Sequence, residues 1–232
     1  MLCYDEFICE IIQEVLMTEY NNFYGNRIIY VYNNGKEEII DGLPNLKINF
    51  NGKYSTVKIY EPIKIRKDLS IDIYTGGFVE IKKECDIRSL YVNILNNSLT
   101  IGERVYIGQC LIYAHREKNI KVSIGDDCLI SLGVTIRASD EHTIFNLDNP
   151  DIPINKAYSG IHIGNHVWIG DGSFIGKDVI IANNCIIGAR SFINKKFLEE
   201  NCIIAGVPGK IIRKNIGWDR RAIFKFEDDH KI

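Results

Sequence analysis

His142 is the residue whose type and surroundings carry the clearest chemistry. It closes the run Ser139-Asp140-Glu141-His142, in a polar segment that also holds Asn149, Pro150 and Pro153. An imidazole changes protonation near neutral pH. It can therefore take a proton from a weakly acidic hydroxyl as that oxygen attacks, and hand it on afterwards. Asp140 or Glu141 could orient the ring by accepting its other N–H, and a solvated loop carboxylate is the competing reading for each. For His142 itself the competing reading is a water-exposed loop histidine.

The other reactive residue types say less. His162 and His166 are four apart, and exposed positions at a turn are the bland reading against a zinc pair. No third histidine stands at a suitable upstream interval, so no metal is expected. His115 and His230 have no interpretable context. Seven cysteines occur without any CxxC pair, which argues against structural zinc. Cys110, Cys128 and Cys185 are expected to be small buried apolar residues, and nothing marks a nucleophile.

The elements that must position His142 are set by an internal repeat. Isoleucine falls on every sixth position at Ile163, Ile169, Ile175, Ile181, Ile187 and Ile193. The next residue is small in Gly164, Gly170, Gly176, Ala182 and Gly188. The position four after each Ile is small or β-branched in Val167, Ser173, Val179, Cys185 and Ser191. A period of six is neither that of a strand nor that of a helix. It predicts a coil of three short strands joined by turns, about 18 residues per coil, with coils stacked about 4.8 Å apart. One aliphatic side chain per hexapeptide points inward, the following residue turns a corner where Gly or Asn is tolerated, and the fifth residue fits a narrow inside corner. Trp168, in the sixth position of its repeat, should face outward.

The same grammar appears upstream at Ile101-Gly102, Ile107-Gly108, Ile124-Gly125, Ile130 and Ile136, with echoes back to Val57 and Ile59. The division expected is an N-terminal helix and cap over 1–45, a coil domain over 46–213 and a tail over 214–232. Residues 46–95 read as irregular coils, with a separate small β subdomain as the alternative. Phe7, Ile8, Ile11, Ile12, Val15 and Leu16 recur at helical spacing behind Asp5, a candidate N-cap. The register breaks between Ile136 and Ile161, so 138–160 is expected to be extruded from the coil. Long loops on rigid scaffolds usually carry function.

Composition agrees. The chain has 232 residues, 42 Ile against 13 Leu, 21 Asn and 19 Gly, a balance that favours many short strands and turns. At 46% hydrophobic and 25% charged it is globular rather than disordered. A net charge of -2 lacks the basic excess of a nucleic-acid binder. No secretory signal or membrane-spanning stretch is visible, which points to the cytoplasm and reduced thiols.

These repeats resemble the hexapeptide-repeat acyltransferases over roughly residues 96–213. Three segments are most similar to the O-acetyltransferases that modify capsules, O-antigens and other surface glycans. They are Ser139 to His142 with Ile144, Ile163-Gly164-Asn165-His166-Val167-Trp168-Ile169-Gly170, and Ile203 to Lys210 continuing to Ile216-Gly217-Trp218-Asp219-Arg220. The resemblance implies a mainly β, left-handed parallel β-helix acting as a homotrimer with sites between subunits. It implies acetyl-CoA as co-substrate and transfer of acetyl to a glycan hydroxyl, by direct attack in a ternary complex with His142 as general base. It makes Trp168 an acceptor platform, with subunit packing as the alternative. It carries the CoA-binding role onto Asp171, Ala189, Asn194, Lys195, Ala205, Lys210 and Arg213. Solvated surface charge competes for the three basic residues, and Arg190 departs from the small residue usual after Gly-Ala. Two alternatives remain: N- or O-acetylation of a nucleotide-linked sugar or small molecule, and a metalloenzyme resembling the gamma-type carbonic anhydrases. The His162 and His166 pair is not at the spacing of that last class.

Overall fold

A computed structural model describes residues 24–229. The expected N-terminal helix and His230 lie outside the described residues. Strand β1 (Arg27–Val31), its hairpin partner β2 (Glu37–Ile40) and β3 (Leu46–Phe50) form a first partial coil. Two coils with long strands follow: β4 (Thr56–Tyr60) with β5 (Ile63–Ile73), and β6 (Phe78–Ile81) with β7 (Cys85–Ile94). Next come β8 (Ser98–Ile101), β9 (Tyr106–Ile107) and β10 (Cys110–Ala114), then β11 (Lys121–Ile124), β12 (Leu129–Ile130) and β13 (Val134–Arg137). A hairpin of β14 (Phe145–Asn146) and β15 (Asn149–Pro153) projects there. The coil resumes with β16 (Ile161–Ile163), β17 (Trp168–Ile169) and β18 (Phe174–Ile175), then β19 (Ile180–Ile181), β20 (Ile186–Ile187) and β21 (Phe192–Ile193). Strand β22 (Ile203–Ala205) starts a last coil, β23 (Lys210–Arg213) folds back on it antiparallel, and a short helix α1 (Ile223–Asp229) follows.

Parallel pairing builds three faces. The first stacks β1, β4, β6, β8, β11, β16 and β19. The second runs from the first halves of β5 and β7 through β9, β12, β17, β20 and β22. The third joins β3, the second halves of β5 and β7, β10, β13, β18 and β21. Pairing onto the coil thus begins at Arg27, ahead of residue 46. Along the first face Ile59, Ile81, Ile101, Ile124, Ile163 and Ile181 are aligned partners, and all are buried. Each fully buried side chain of this size contributes about 1.5–3 kcal/mol of transfer free energy. The step from Ile163 to Ile181 is one coil of three hexapeptides. Between Ile124 and Ile163 the same ladder spans more than twice that length, and the surplus is the extruded segment.

The corner residue differs from expectation. The left-handed backbone falls on the third residue after each Ile, at His166, Gly172, Asp178, Asn184 and Arg190, with φ between 53° and 65°. The glycine beside the Ile has no such φ. Its role is close approach: a Cβ on Gly164 would meet Asn183 Oδ1 at 2.7 Å in the next coil. The fifth-position residues do fill the inside corner, and all five are buried.

Candidate active site

The loop after β13 is anchored at its base by polar groups. Asn155 Nδ2 donates to the His142 carbonyl at 2.8 Å and to Asp140 Oδ2 at 3.0 Å, and Asn155 Oδ1 accepts from Ile144 N at 2.9 Å. Lys177, in the turn between β18 and β19, donates to the same Asp140 oxygen and to the Asn155 carbonyl. Partial burial pushes the Asp140 carboxyl up, but the bonds from Lys177 and Asn155 outweigh it and hold its pKa below the usual carboxylate range. The exposed His142 imidazole takes no protein hydrogen-bond partner among the described residues. It lines a cavity of about 220 Å³ with Arg116, Glu117, Thr143, Pro153 and Lys156. A second cavity of about 370 Å³, between Arg137, Lys177, Phe174, Phe192 and Asn194, shares Asp140 with the first.

Neither loop carboxylate orients the imidazole. Asp140 is engaged with Lys177 and Asn155, and Glu141 accepts from Arg137 at 2.7 Å and stands 3.5 Å from His115 Nε2. Burial lowers the His115 pKa, which favours its neutral ring, and its buried Nδ1 has no partner among the described residues. Among the described residues the His142 ring is therefore not oriented by a carboxylate of its own loop.

Trp168 does face outward, 38% exposed on β17, and its Nε1 donates to Ser131 Oγ at 3.2 Å. It stands on the second face, whereas the loop leaves the corner between the third and first faces. One protomer therefore does not bring Trp168 to His142. The remaining candidates divide in the same way. Asp171, Ala189 and Ala205 lie on successive coils along the corner of the second and third faces, where Asp171 also accepts from Leu132 N at 3.0 Å. Lys210 and Arg213 lie on β23, opposite Ala205 and Ile203. Asn194 and Lys195 follow β21 at the loop's corner, and the Lys195 ammonium sits 5.4 Å from the Phe197 ring centroid. Arg190 occupies a left-handed corner, with its N–H on the Asp171 carbonyl at 2.7 Å.

The two coil histidines are half-buried and engaged, not exposed at a turn. His162 Nδ1 pairs with Ser123 Oγ at 2.9 Å and its Nε2 with the Ser159 carbonyl at 2.8 Å. His166 Nδ1 pairs with Asp127 Oδ2 at 2.7 Å, and its ring stacks on Trp218 at 4.1 Å and 12°. Trp218 Nε1 donates to the His166 carbonyl at 2.9 Å, and Arg220 reaches Asp127 at 3.1 Å. This latch fastens the C-terminal segment to the coil. No spacing signal pointed to it, because its partners are 39 and 52 residues from His166. Cys110, Cys128 and Cys185 are buried as expected, and burial pushes the Cys128 thiol up to about 12, far from a thiolate at neutral pH.

A family model described as bacterial transferase hexapeptide (six repeats) matches residues 160–195. A polysialic acid O-acetyltransferase of Escherichia coli O1:K1 / APEC is 37% identical over 143 residues, 62% of this chain and 45% of the relative. The chain thus spans less than half the length of that relative. The galactoside O-acetyltransferase of Escherichia coli (strain K12) is 31% identical over 163 residues, 65% of this chain and 76% of the relative. The crystal structure of the polySia specific acetyltransferase NeuO superposes with a TM-score of 0.73 at 28% identity, covering 89% of this chain and 90% of that one. No helix among the described residues is long and apolar enough to cross a membrane. With its three-faced parallel coil, its hexapeptide register and a relative matched over most of its length, the chain belongs to the hexapeptide-repeat acyltransferase family, and its fold is that family's left-handed parallel β-helix.

Proposed function

We propose that the chain is an acetyl-CoA-dependent O-acetyltransferase acting on a hydroxyl of a cell-surface glycan, whether capsule, O-antigen or a precursor. The observation that carries this reading is His142 itself. Its main chain is tied at the loop base while its imidazole is free at a cavity mouth beside the coil edge. In the proposed step His142 takes the acceptor hydroxyl proton as the oxygen attacks the thioester carbonyl. The tetrahedral intermediate collapses, the C–S bond breaks, and the proton passes to the CoA thiolate. No covalent enzyme intermediate is required.

Acetyl-CoA would lie along the coil corner of Asp171, Ala189 and Ala205, where small side chains admit the pantetheine. Lys195, Lys210 and Arg213 would meet its phosphates, with Asn194 near the loop. Trp168 would offer its ring to the sugar or the acetyl end. Because Trp168 lies on the second face and His142 on a loop leaving the corner of the other two faces, this reading requires a site between subunits of a homotrimer. The hairpin supports such an assembly, since Ile144, Leu147, Ile152 and Ile154 project from the coil uncovered, Leu147 at 87% exposure. Cytoplasmic action follows from the donor. The likeness to polysialic acid and galactoside O-acetyltransferases supports a sugar hydroxyl as acceptor. The galactoside enzyme also favours a second reading, in which the acceptor is a small soluble sugar or nucleotide-linked sugar.

The test is CoA release and product mass with a panel of glycan and small-sugar acceptors. His142→Ala should lower kcat by about 10²–10⁴-fold while circular dichroism and Tm stay unchanged. Full activity in that variant would remove His142 from the mechanism. Mild base should release acetyl from the product, as it does from esters; resistance would indicate N-acetylation.

A further inference from the structure

The loop that carries His142 has almost no apolar anchorage. From Glu141 to Ile154 it is exposed apart from half-buried Glu141, and Ile154 itself is 61% exposed. Its position is therefore decided by a small number of polar bonds at its base. Arg137 holds Glu141, the His115 carbonyl accepts from Ser139 Oγ and Glu117 accepts from Ala157 N, while the bonds that join the two limbs to each other run through two residues outside the catalytic candidates. Asn155, on the returning limb, uses its side-chain oxygen and nitrogen to grip the outgoing limb at Ile144 N, the His142 carbonyl and Asp140 Oδ2. Lys177 comes from the coil itself, one turn past β18, and its ammonium joins Asp140 on the outgoing limb to the Asn155 carbonyl on the returning one. The neighbouring Asp178 accepts from Tyr158 N at 2.8 Å and Ser159 N at 2.6 Å, so the same turn also fixes where the loop re-enters the coil. Lys177 is only 24% exposed at its side chain.

We propose that Lys177 and Asn155 are positioning residues that place His142 through its main chain. Asn155 closes the two limbs on each other, and Lys177 ties the closed pair to the rigid coil. A charge-assisted bond suits this task because it is directional and stronger than a neutral one. Displacement of a catalytic group by about 1 Å can cost about 10²-fold in rate, so a loop held this way needs such a tie. The inference rests on the reading of His142 as the base.

The experiment uses the full-length enzyme and the CoA-release assay with whichever acceptor proves active. Lys177→Met and Asn155→Ala should each lower kcat by about tenfold to 10²-fold with both KM values within about twofold, and Lys177→Arg should recover most of the loss. Tm should stay near wild type, while limited proteolysis within 138–160 should speed up. In a His142→Ala background, adding Lys177→Met should change the residual rate by less than about twofold, because the group it positions is gone. A raised KM at unchanged kcat would overturn the proposal and make Lys177 a substrate-binding residue. Wild-type kcat in both single variants, with His142→Ala inactive, would overturn the clamp alone. Full activity in His142→Ala would instead overturn the base assignment beneath it. If Lys177→Met fails to fold, the Asn155→Ala and Lys177→Arg kinetics decide.

Discussion

The coils over 161–193 and the loop over 138–160 are made from the same chain by opposite means. In the coils each hexapeptide buries one Ile to within 3% exposure and turns at a left-handed third residue, so position is secured by packing repeated every six residues. In the loop Ile144, Phe145, Leu147, Ile152 and Ile154 are all exposed, and position is secured by Asn155, Lys177 and Asp140. The contrast separates a part of the chain held by packing from a part held by a few polar bonds. The prism can lose little without unfolding, whereas the loop can be loosened without cost to the prism. The His142→Ala and Lys177→Met experiments probe the loop side of that contrast, and three further measurements test both sides and the tail.

The largest stability effect is expected in the coil. Ile187→Ala should destabilise by about 2–5 kcal/mol in denaturant unfolding, through lost burial and an unfilled cavity. Ile154→Ala should stay within about 0.5 kcal/mol in the monomeric chain, and should cost more in an assembly whose second copy covers the hairpin. A loss comparable to that of Ile187→Ala in the monomer would erase the difference between the regions.

The latch at the C-terminal segment comes next. Trp218→Ala removes the stack on His166 and the bond to its carbonyl. It should cost about 0.5–1.5 kcal/mol and expose 214–229 to protease before the coil unfolds. Unchanged protease resistance there would show that the segment is held by something other than this pair.

The smallest effect is a pH dependence confined to the loop. The folded Asp140 pKa lies below its ordinary value, so protonation opposes the clamp. Its contribution is complete above the ordinary carboxylate pKa of about 3.9 and is lost as pH falls through the lower folded value. Amide protection factors at 140–156, corrected for the intrinsic pH dependence of exchange, should therefore be constant from pH 7 to about pH 5 and should fall, relative to the coil, only below about pH 4. Loss of loop protection between pH 6 and pH 7 would point to a histidine instead.

Much of this was legible before any coordinates. The Ile column, the inside-corner residues, the outward Trp168 and the extrusion after Ile136 are local properties, each written within one or two hexapeptides. The sequence does not reveal the reason for the glycine column, because a residue's own turn geometry is local but the approach of the next coil is not. For Asp140 and Glu141 adjacency in sequence offers only a choice between orienting the imidazole and standing solvated in the loop. In the fold they turn to Lys177 and Arg137, since a loop anchored on a coil meets side chains from other turns. His162 and His166 look like exposed turn positions in sequence, and their partners come from stacked coils and from the tail.

The sequence by itself determined the prism: a six-residue aliphatic period has only one way to bury its column, and that way is a three-faced coil. Only the tertiary structure decided which polar groups hold the loop and the tail, and that Trp168 stands on the second face while the His142 loop leaves the corner of the other two. Periodic burial is encoded in each repeat. Pairing across 37 residues, as between Lys177 and Asp140, exists only once the coils have stacked.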